Sequence, residues 1–429
     1  MKLKISNLGP IDSMVIDMSK PFILFAGDNG TGKTYAATFL YTLIKMSSVS
    51  FDSQSENKGI TITKKQEKIV EGELNADELY DSFCEFLNKE QKWILMLMNL
   101  DINVDLFKCK IITTKEEWRK ELFQKSVSTF YDYVVKKANS FDFRLKLFRK
   151  DDVSDLSNMQ SYLKRSVFFD GIIGAKMLTA ERSGIYTFSR ELSAGRLRNP
   201  DERLNIRYPK PIADGLADAV DDVSTKKFSY YSDHHEFADE IEKMILHGGI
   251  TVTKEGDIKY HVSKETELGF NDTSSAIKTL VPLVLYLRYS AGQYNVLFID
   301  EPELNLHPKN QILLAKIFVK MINAGLRLVI STHSDYIIRE INNMIMADGL
   351  NQAGDKIISD KGYDESLCLS QDKFAPYLFE NNQKGKVKVT PLEVDRYGFN
   401  MPSIDEAINS QNDVTNTFYE VLKYDHPKS

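Results

Sequence analysis

Gly27-Asp28-Asn29-Gly30-Thr31-Gly32-Lys33-Thr34 has the spacing G-x-x-x-x-G-K-[ST]. That spacing suits one task, the cradling of a nucleotide's phosphates. Glycines let successive backbone N–H groups curl around an anion, and a helix N-terminus behind them adds a favourable dipole. Lys33 is placed to reach the β- and γ-phosphates, and Thr34 to put its hydroxyl on Mg²⁺. An apolar run, FILFA (22–26), precedes the loop, and a helix is predicted from Lys33 to about Met46. The bland alternative is a glycine-rich turn without a ligand. The strand–loop–helix context favours the phosphate loop.

A second group lies in NVLFIDEPELNL (295–306), where four apolar residues end in Asp300-Glu301. Such a strand buries itself and delivers two carboxylates at its C-terminal end, where ligands bind on parallel sheets. Asp300 is expected to hold Mg²⁺, and Glu301 to polarise an attacking water as general base. The next apolar run, LVIS (328–331), ends in Thr332-His333-Ser334. A lone histidine is more often structural. Here it falls on the same sheet edge, where it can touch the γ-phosphate and the water.

The elements that must position these groups alternate between strand and helix, which implies a mostly parallel sheet. A hairpin is predicted at 1–18 around Gly9-Pro10, and a strand at 176–180 (KMLTA). A second hairpin is predicted between Gly248 and Val262, and helices at 274–289, 309–322 and 335–345. Residues 49–169 are nearly free of glycine after Gly72 and read as a helical insertion, with a capping box at Thr114 and Glu117. Residues 346–429 read as a small α+β extension with a hairpin (YLFE, then KVKVTPLEV). The expected organisation is a phosphate-loop head in two segments, 1–48 and 170–345, with the insertion and the extension added to it.

Composition narrows the function classes. The 429 residues carry 55 Lys+Arg against 61 Asp+Glu, a net charge of −6. That argues against coating DNA by bulk charge. Cys84, Cys109 and Cys368 lie far apart, so neither a disulfide framework nor a cysteine-paired zinc site is expected. No signal peptide or membrane-length apolar run is read, which points to the cytoplasm. A run of basic residues from Arg182 to Lys210, including Arg196, Arg198 and Arg203, admits two readings. One is a nucleic-acid or acidic-partner surface, with DNA as the partner; the other is a solvated loop.

GDNGTGKT, SSAIKTLVPLVLYL, FIDEPELNLHP and STHS together resemble the ABC-type ATPases of the SMC, RecF and OLD groups. The resemblance covers residues 1–48 and about 170–345. It implies a phosphate-loop head with a mostly parallel sheet, ATP and Mg²⁺ as ligands, and two heads that sandwich the nucleotide as a homodimer or larger assembly. It also implies that Ser274 and Ser275, 26 residues before Asp300, form the signature segment facing the other head's phosphate loop. Ala276 stands where the family usually has glycine. Residues 303–307 resemble the loop that crosses the dimer interface. Glu181, in LTAERSG, takes the place of the lid residue near Mg²⁺, and Asn7 falls near the nucleotide base. After Ser334 no D-x-D pair occurs, so the fused Toprim nuclease of OLD proteins is absent from these residues.

The chain is similar to stand-alone ATPase subunits of bacterial anti-phage systems of the PARIS and Septu kind. That resemblance implies a separately encoded effector, such as a nuclease. Two other functions compete: a RecF-like DNA repair ATPase, and an ATP-bound scaffold that does not hydrolyse. A small-molecule kinase is disfavoured by the signature helix, DEPE and His333 together.

Overall fold

The computed structural model describes residues 1–53, 60–66, 69–100, 102–125, 133–137, 140–146, 164, 167–172, 174–189, 208–223, 231–292, 294–350, 355–382, 385–401 and 410–420. The first strands, β1 (Lys2–Leu8) and β2 (Ile11–Asp17), form the antiparallel hairpin expected around Gly9-Pro10. β3 (Phe22–Gly27) is buried throughout and runs through the loop into α1 (Lys33–Ser53).

Three parallel strands extend the sheet on one side of β3. β9 (Gly174–Leu178), β13 (Asn295–Asp300) and β14 (Arg327–Thr332) follow in the spatial order β3-β14-β13-β9. Because these four strands are parallel, their C-terminal ends share one edge.

Both faces of this sheet are covered, which explains the unbroken apolar runs. In β3, Ile23 and Phe25 face one core; Phe22, Leu24 and Ala26 face the other. The alternation repeats in β13, with Val296 and Phe298 opposed to Leu297 and Ile299. The first core is closed by α1 and by α2 (Ala76–Met98). The second is closed by α6 (Ser275–Tyr289), α7 (Pro308–Asn323) and α8 (Asp335–Asp348). Between β9 and α6 come α4 (Lys210–Asp222) and α5 (Glu236–Ile241). A three-stranded sheet follows α5: β10 (Gly249–Val252), β11 (Ile258–His261) and β12 (Glu267–Gly269).

The insertion is not the helical unit expected. It holds α2 and α3 (Lys115–Lys125), the latter started by the Thr114–Glu117 capping box: Thr114 N donates to Glu117 Oε2 at 2.8 Å and Glu117 N to Thr114 Oγ1 at 3.2 Å. It also holds β4 (Ile60–Gln66), β5 (Ile69–Asn75), β7 (Tyr133–Lys137) and β8 (Ser140–Lys146), paired as an antiparallel sheet in the order β4-β5-β8-β7. The period-2 runs ITIT and SFDFRLK carry the strand signal beneath a high charge density. A further strand, β6 (Lys108–Ile111), pairs with β1 and forms one edge of the main sheet.

The C-terminal extension departs further from expectation. Its hairpin, β15 (Phe374–Asn381) and β16 (Val387–Pro391), lies inside the main sheet, whose full order is β6-β1-β2-β16-β15-β3-β14-β13-β9. β15 runs parallel to β3, and β16 parallel to β2. A boundary at residue 346 therefore cuts through this sheet. Among the described residues, no helix is long and apolar enough to cross a membrane.

Candidate functional site

The phosphate loop is walled from behind and open in front. A Cβ at Gly27 (φ +137°) would stand 2.3 Å from the Phe379 carbonyl oxygen of β15, and one at Gly32 (φ +86°) 2.8 Å from Pro10 Cγ. At Gly30 (φ +79°) a Cβ would meet nothing within 4 Å. Asp28, Asn29 and Gly30 are exposed, and Thr31 is buried with its hydroxyl donating to the Asp28 carbonyl at 2.8 Å. The free space around Gly30 and the amide-rich turn fit a phosphate chain.

The walled Gly27 and the open Gly30 give a paired prediction. Gly27→Ala should cost about 2–4 kcal/mol, from both backbone strain and the Phe379 clash. Gly30→Ala should cost only the strain, about 1–2 kcal/mol. Urea unfolding of both variants measures the difference; equal losses would mean that β15 does not wall the loop.

Lys33 is buried. Its ammonium donates to the Gly27 and Asp28 carbonyls, both at 2.7 Å. Burial pushes its pKa down, while Glu301 and Asp300 act against that shift. Thr34 Oγ1 donates to Asp300 Oδ2 at 2.8 Å, and Ser331 Oγ donates to Asp300 Oδ1. Burial raises the Asp300 pKa, and both hydroxyl bonds oppose it. Thr34 and Asp300 thus bring one hydroxyl and one carboxylate side by side from two elements far apart in sequence. This oxygen pair fits Mg²⁺, which takes few protein ligands and completes its shell with water and phosphate oxygens. Among the described residues, no group of three or more His, Cys, Asp or Glu side chains is placed to hold a metal.

Glu301 follows at the end of β13 with φ +48°, a conformation costly for glutamate. Its main chain is tied on both sides: its N–H donates to the Ser331 carbonyl at 2.9 Å, and its carbonyl accepts from Arg182 at 2.9 Å. The side chain is partly exposed and lies 3.9 Å from His333 Nδ1. His333 sits one strand over, at the end of β14. Beneath it Glu303, 6% exposed, accepts from the Thr332 hydroxyl at 2.7 Å and from the His333 N–H at 2.9 Å. Glu303 Oε1 is also 3.3 Å from His333 Nδ1.

The structure therefore brings together Lys33, Thr34, Asp300, Glu301 and His333. Three neighbouring parallel strands, β3, β14 and β13, deliver them at one edge.

The family follows from the sequence over this same region. Residues 1–338 match the family model of the AAA ATPase domain. The chain belongs to that family. The loop, the acidic strand end and the histidine strand all lie inside this AAA ATPase domain, whereas the hairpin β15–β16 lies beyond the matched residues. No curated protein matches the chain. Among solved structures, the SMC head bound to the C-winged helix domain of ScpA is 11% identical, over 92% of this chain and 98% of that one, at a TM-score of 0.38. An SMC head with an extended coiled coil, bound to the C-terminal domain of ScpA derived from Pyrococcus furiosus, is 11% identical over 96% and 98%, at 0.35. The SMC head domain from Thermotoga maritima is 12% identical over 92% and 98%, at 0.32. At these scores the likeness carries no argument about activity or partners.

Of the other expected site residues, Glu303 bonds the histidine strand directly, and the Glu181 charge reaches Asp300, where it helps to raise that pKa. Ser274 and Ser275 are exposed at the N-terminus of α6, where Ser274 Oγ accepts from Ile277 N. Glu181 is exposed just past β9. Asn7 (φ +56°) has its amide engaged, donating to the Leu106 carbonyl at 2.9 Å and accepting from Lys386 Nζ at 3.2 Å. In the 303–307 loop, Asn305 and His307 are exposed, while Glu303 and Leu306 are buried. Arg196, Arg198 and Arg203 of the basic run lie outside the described residues.

Sequence reasoning missed the roles of Glu303 and Arg182. The second carboxylate of DEPE, three residues past Asp300, was a readable signal for Glu303. Nothing in spacing marks Arg182, because its partners are all backbone carbonyls.

Proposed function

We propose that this AAA-family ATPase hydrolyses ATP as a homodimer, and that its nucleotide-dependent assembly controls a separately encoded effector in anti-phage defence, in the cytoplasm. The loop amides of residues 27–32 and Lys33 bind the phosphates. Thr34 and Asp300 hold Mg²⁺, which when bound neutralises developing phosphate charge. Glu301 takes the proton of the attacking water, and His333 contacts the water and the terminal phosphate. Ser274 and Ser275 of the partner subunit close the site across the interface. Glu181 borders the metal, and Asn7 the base.

The observation that carries the dimer is the state of α6. Its first residues are exposed, and among the described residues neither Ser274 nor Ser275 has a side-chain bond beyond its own helix. A free helix N-terminus with two hydroxyls suits the phosphate of a second copy. The effector rests on the resemblance of LTAERSG to the OLD-like branch, whose stand-alone ATPases often work beside a separately encoded effector in anti-phage systems, and a nuclease is its expected chemistry.

Sedimentation of wild type and Ser275→Arg, each with and without ATP, tests the dimer. Wild type should double in mass with ATP, and the variant should stay monomeric with turnover down about 10-fold or more. A variant that dimerises and turns over like wild type would remove the composite site. Tagged protein expressed with its flanking genes tests the effector. A stoichiometric nuclease supports it, and a partner-free ATPase that retains DNA shifts the reading to repair.

A further inference from the structure

Arg182 is 3% exposed, yet among the described residues its guanidinium hydrogen-bonds no carboxylate. It donates to four main-chain carbonyls: Nε to Thr279 at 3.1 Å, one terminal nitrogen to Thr179 at 3.0 Å and Asp300 at 2.7 Å, the other to Glu301 at 2.9 Å. These carbonyls belong to three elements: the end of β9, the second turn of α6, and the end of β13. Arginine is suited to this because its donors form a rigid planar fork. A second tie runs alongside, from Asn305 Nδ2 to Thr279 Oγ1 at 3.1 Å. Thr279 lies one helical turn from Ser275, whose carbonyl accepts its hydroxyl at 2.8 Å. At the other end of the fork is the strained peptide of Glu301.

We propose that Arg182 is a positioning residue that makes the first turns of α6 and the Glu301 peptide one rigid unit, so that seating of α6 fixes where the general base stands. The inference rests on the reading of Glu301 as base and of α6 as the segment that engages the partner's nucleotide. Movement of the α6 N-terminus reaches Glu301 through Thr279 and the guanidinium, with no loop between them. Lysine at 182 keeps the charge, but its compact ammonium cannot span acceptors on three elements.

The test compares Arg182→Lys with Arg288→Lys. Arg288 is also buried on α6, bonded to the Ile250 carbonyl at 2.8 Å and paired with Glu242 at 2.8 Å, and it touches none of the site residues. Turnover, KM for ATP, ATP-driven dimerisation and the urea midpoint are measured for each. Arg182→Lys should lower kcat about 10-fold or more while KM stays within about threefold and dimerisation persists; Arg288→Lys should lower the midpoint and leave kcat within about twofold. Asn305→Ala, at an exposed position whose φ of +61° strains alanine and lowers the urea midpoint slightly, cuts the parallel tie and should lower kcat about threefold at unchanged KM. Should Arg182→Lys fail to fold, the Asn305→Ala kcat decides alone. The proposal is overturned if kcat stays within twofold in both Arg182→Lys and Asn305→Ala, or if Arg288→Lys lowers kcat as much at matched stability. Loss of the dimer reading alone would show as wild-type behaviour of Ser275→Arg, a result independent of these ratios.

Discussion

Glu301→Gln is expected to lower ATP turnover by about 10²–10⁴-fold, the usual worth of a positioned general base, with nucleotide binding retained. Glutamine has the size of glutamate and leaves intact what holds the residue in place. Those restraints are the main-chain bonds to Ser331 and Arg182, which do not depend on the side chain. Lys33, Thr34 and Asp300 bond through their own partners and keep their geometry. The loss therefore falls on the chemical step. The variant should accumulate as an ATP-bound dimer. Phosphate release gives turnover, and a fluorescent nucleotide gives affinity. Equal background rates in variant and wild type would establish the scaffold reading.

The second large effect concerns stability. Phe379→Ala should cost about 3–5 kcal/mol, the range for removing a fully buried phenyl ring. Phe379 is 1% exposed and packs edge-on against Phe25, ring centroids 5.3 Å apart. Phe25 also meets Tyr377 of the same strand at 5.9 Å. Both contacts join β15 to β3, the strand that launches the phosphate loop. Phe379 is also the residue whose carbonyl walls Gly27, so the cavity should weaken nucleotide binding as well. Urea unfolding followed with and without nucleotide separates the two effects. A loss below about 1 kcal/mol would mean that the hairpin is peripheral to the core.

The central machinery was legible because its signals are local. G-x-x-x-x-G-K-[ST], an apolar run ending in Asp-Glu, and a second run ending in Thr-His each lie within a dozen residues, and the parallel sheet aligns their ends. The hairpin at 374–391 was also legible as a hairpin. Its insertion between β2 and β3 was not, because strand pairing across hundreds of residues leaves no trace in spacing. The strands β4, β5, β7 and β8 lie in a stretch that reads as helix because its charge density masks the period-2 alternation. Arg182 stayed hidden for a different reason: a side chain that binds only carbonyls has no partner residue type to search for. In the sequence Glu303 belongs both to DEPE and to the loop that the resemblance places at the dimer interface. Its burial beneath His333 is a tertiary fact, set by the turn after β13.

The hairpin also sets a timetable for biosynthesis. β3 ends at residue 27, and its partner β15 begins at residue 374. A ribosome adding about 5–20 residues per second needs roughly 20–70 s to cover that interval. Throughout it, one edge of β3 and the facing edge of β2 await their native partners. The nascent chain thus carries an open strand edge throughout that interval, and chaperones that shield such edges gain a long window of action. The loop's rear wall is completed only once β15 has been made, so nucleotide capture waits on a strand synthesised long after the loop itself.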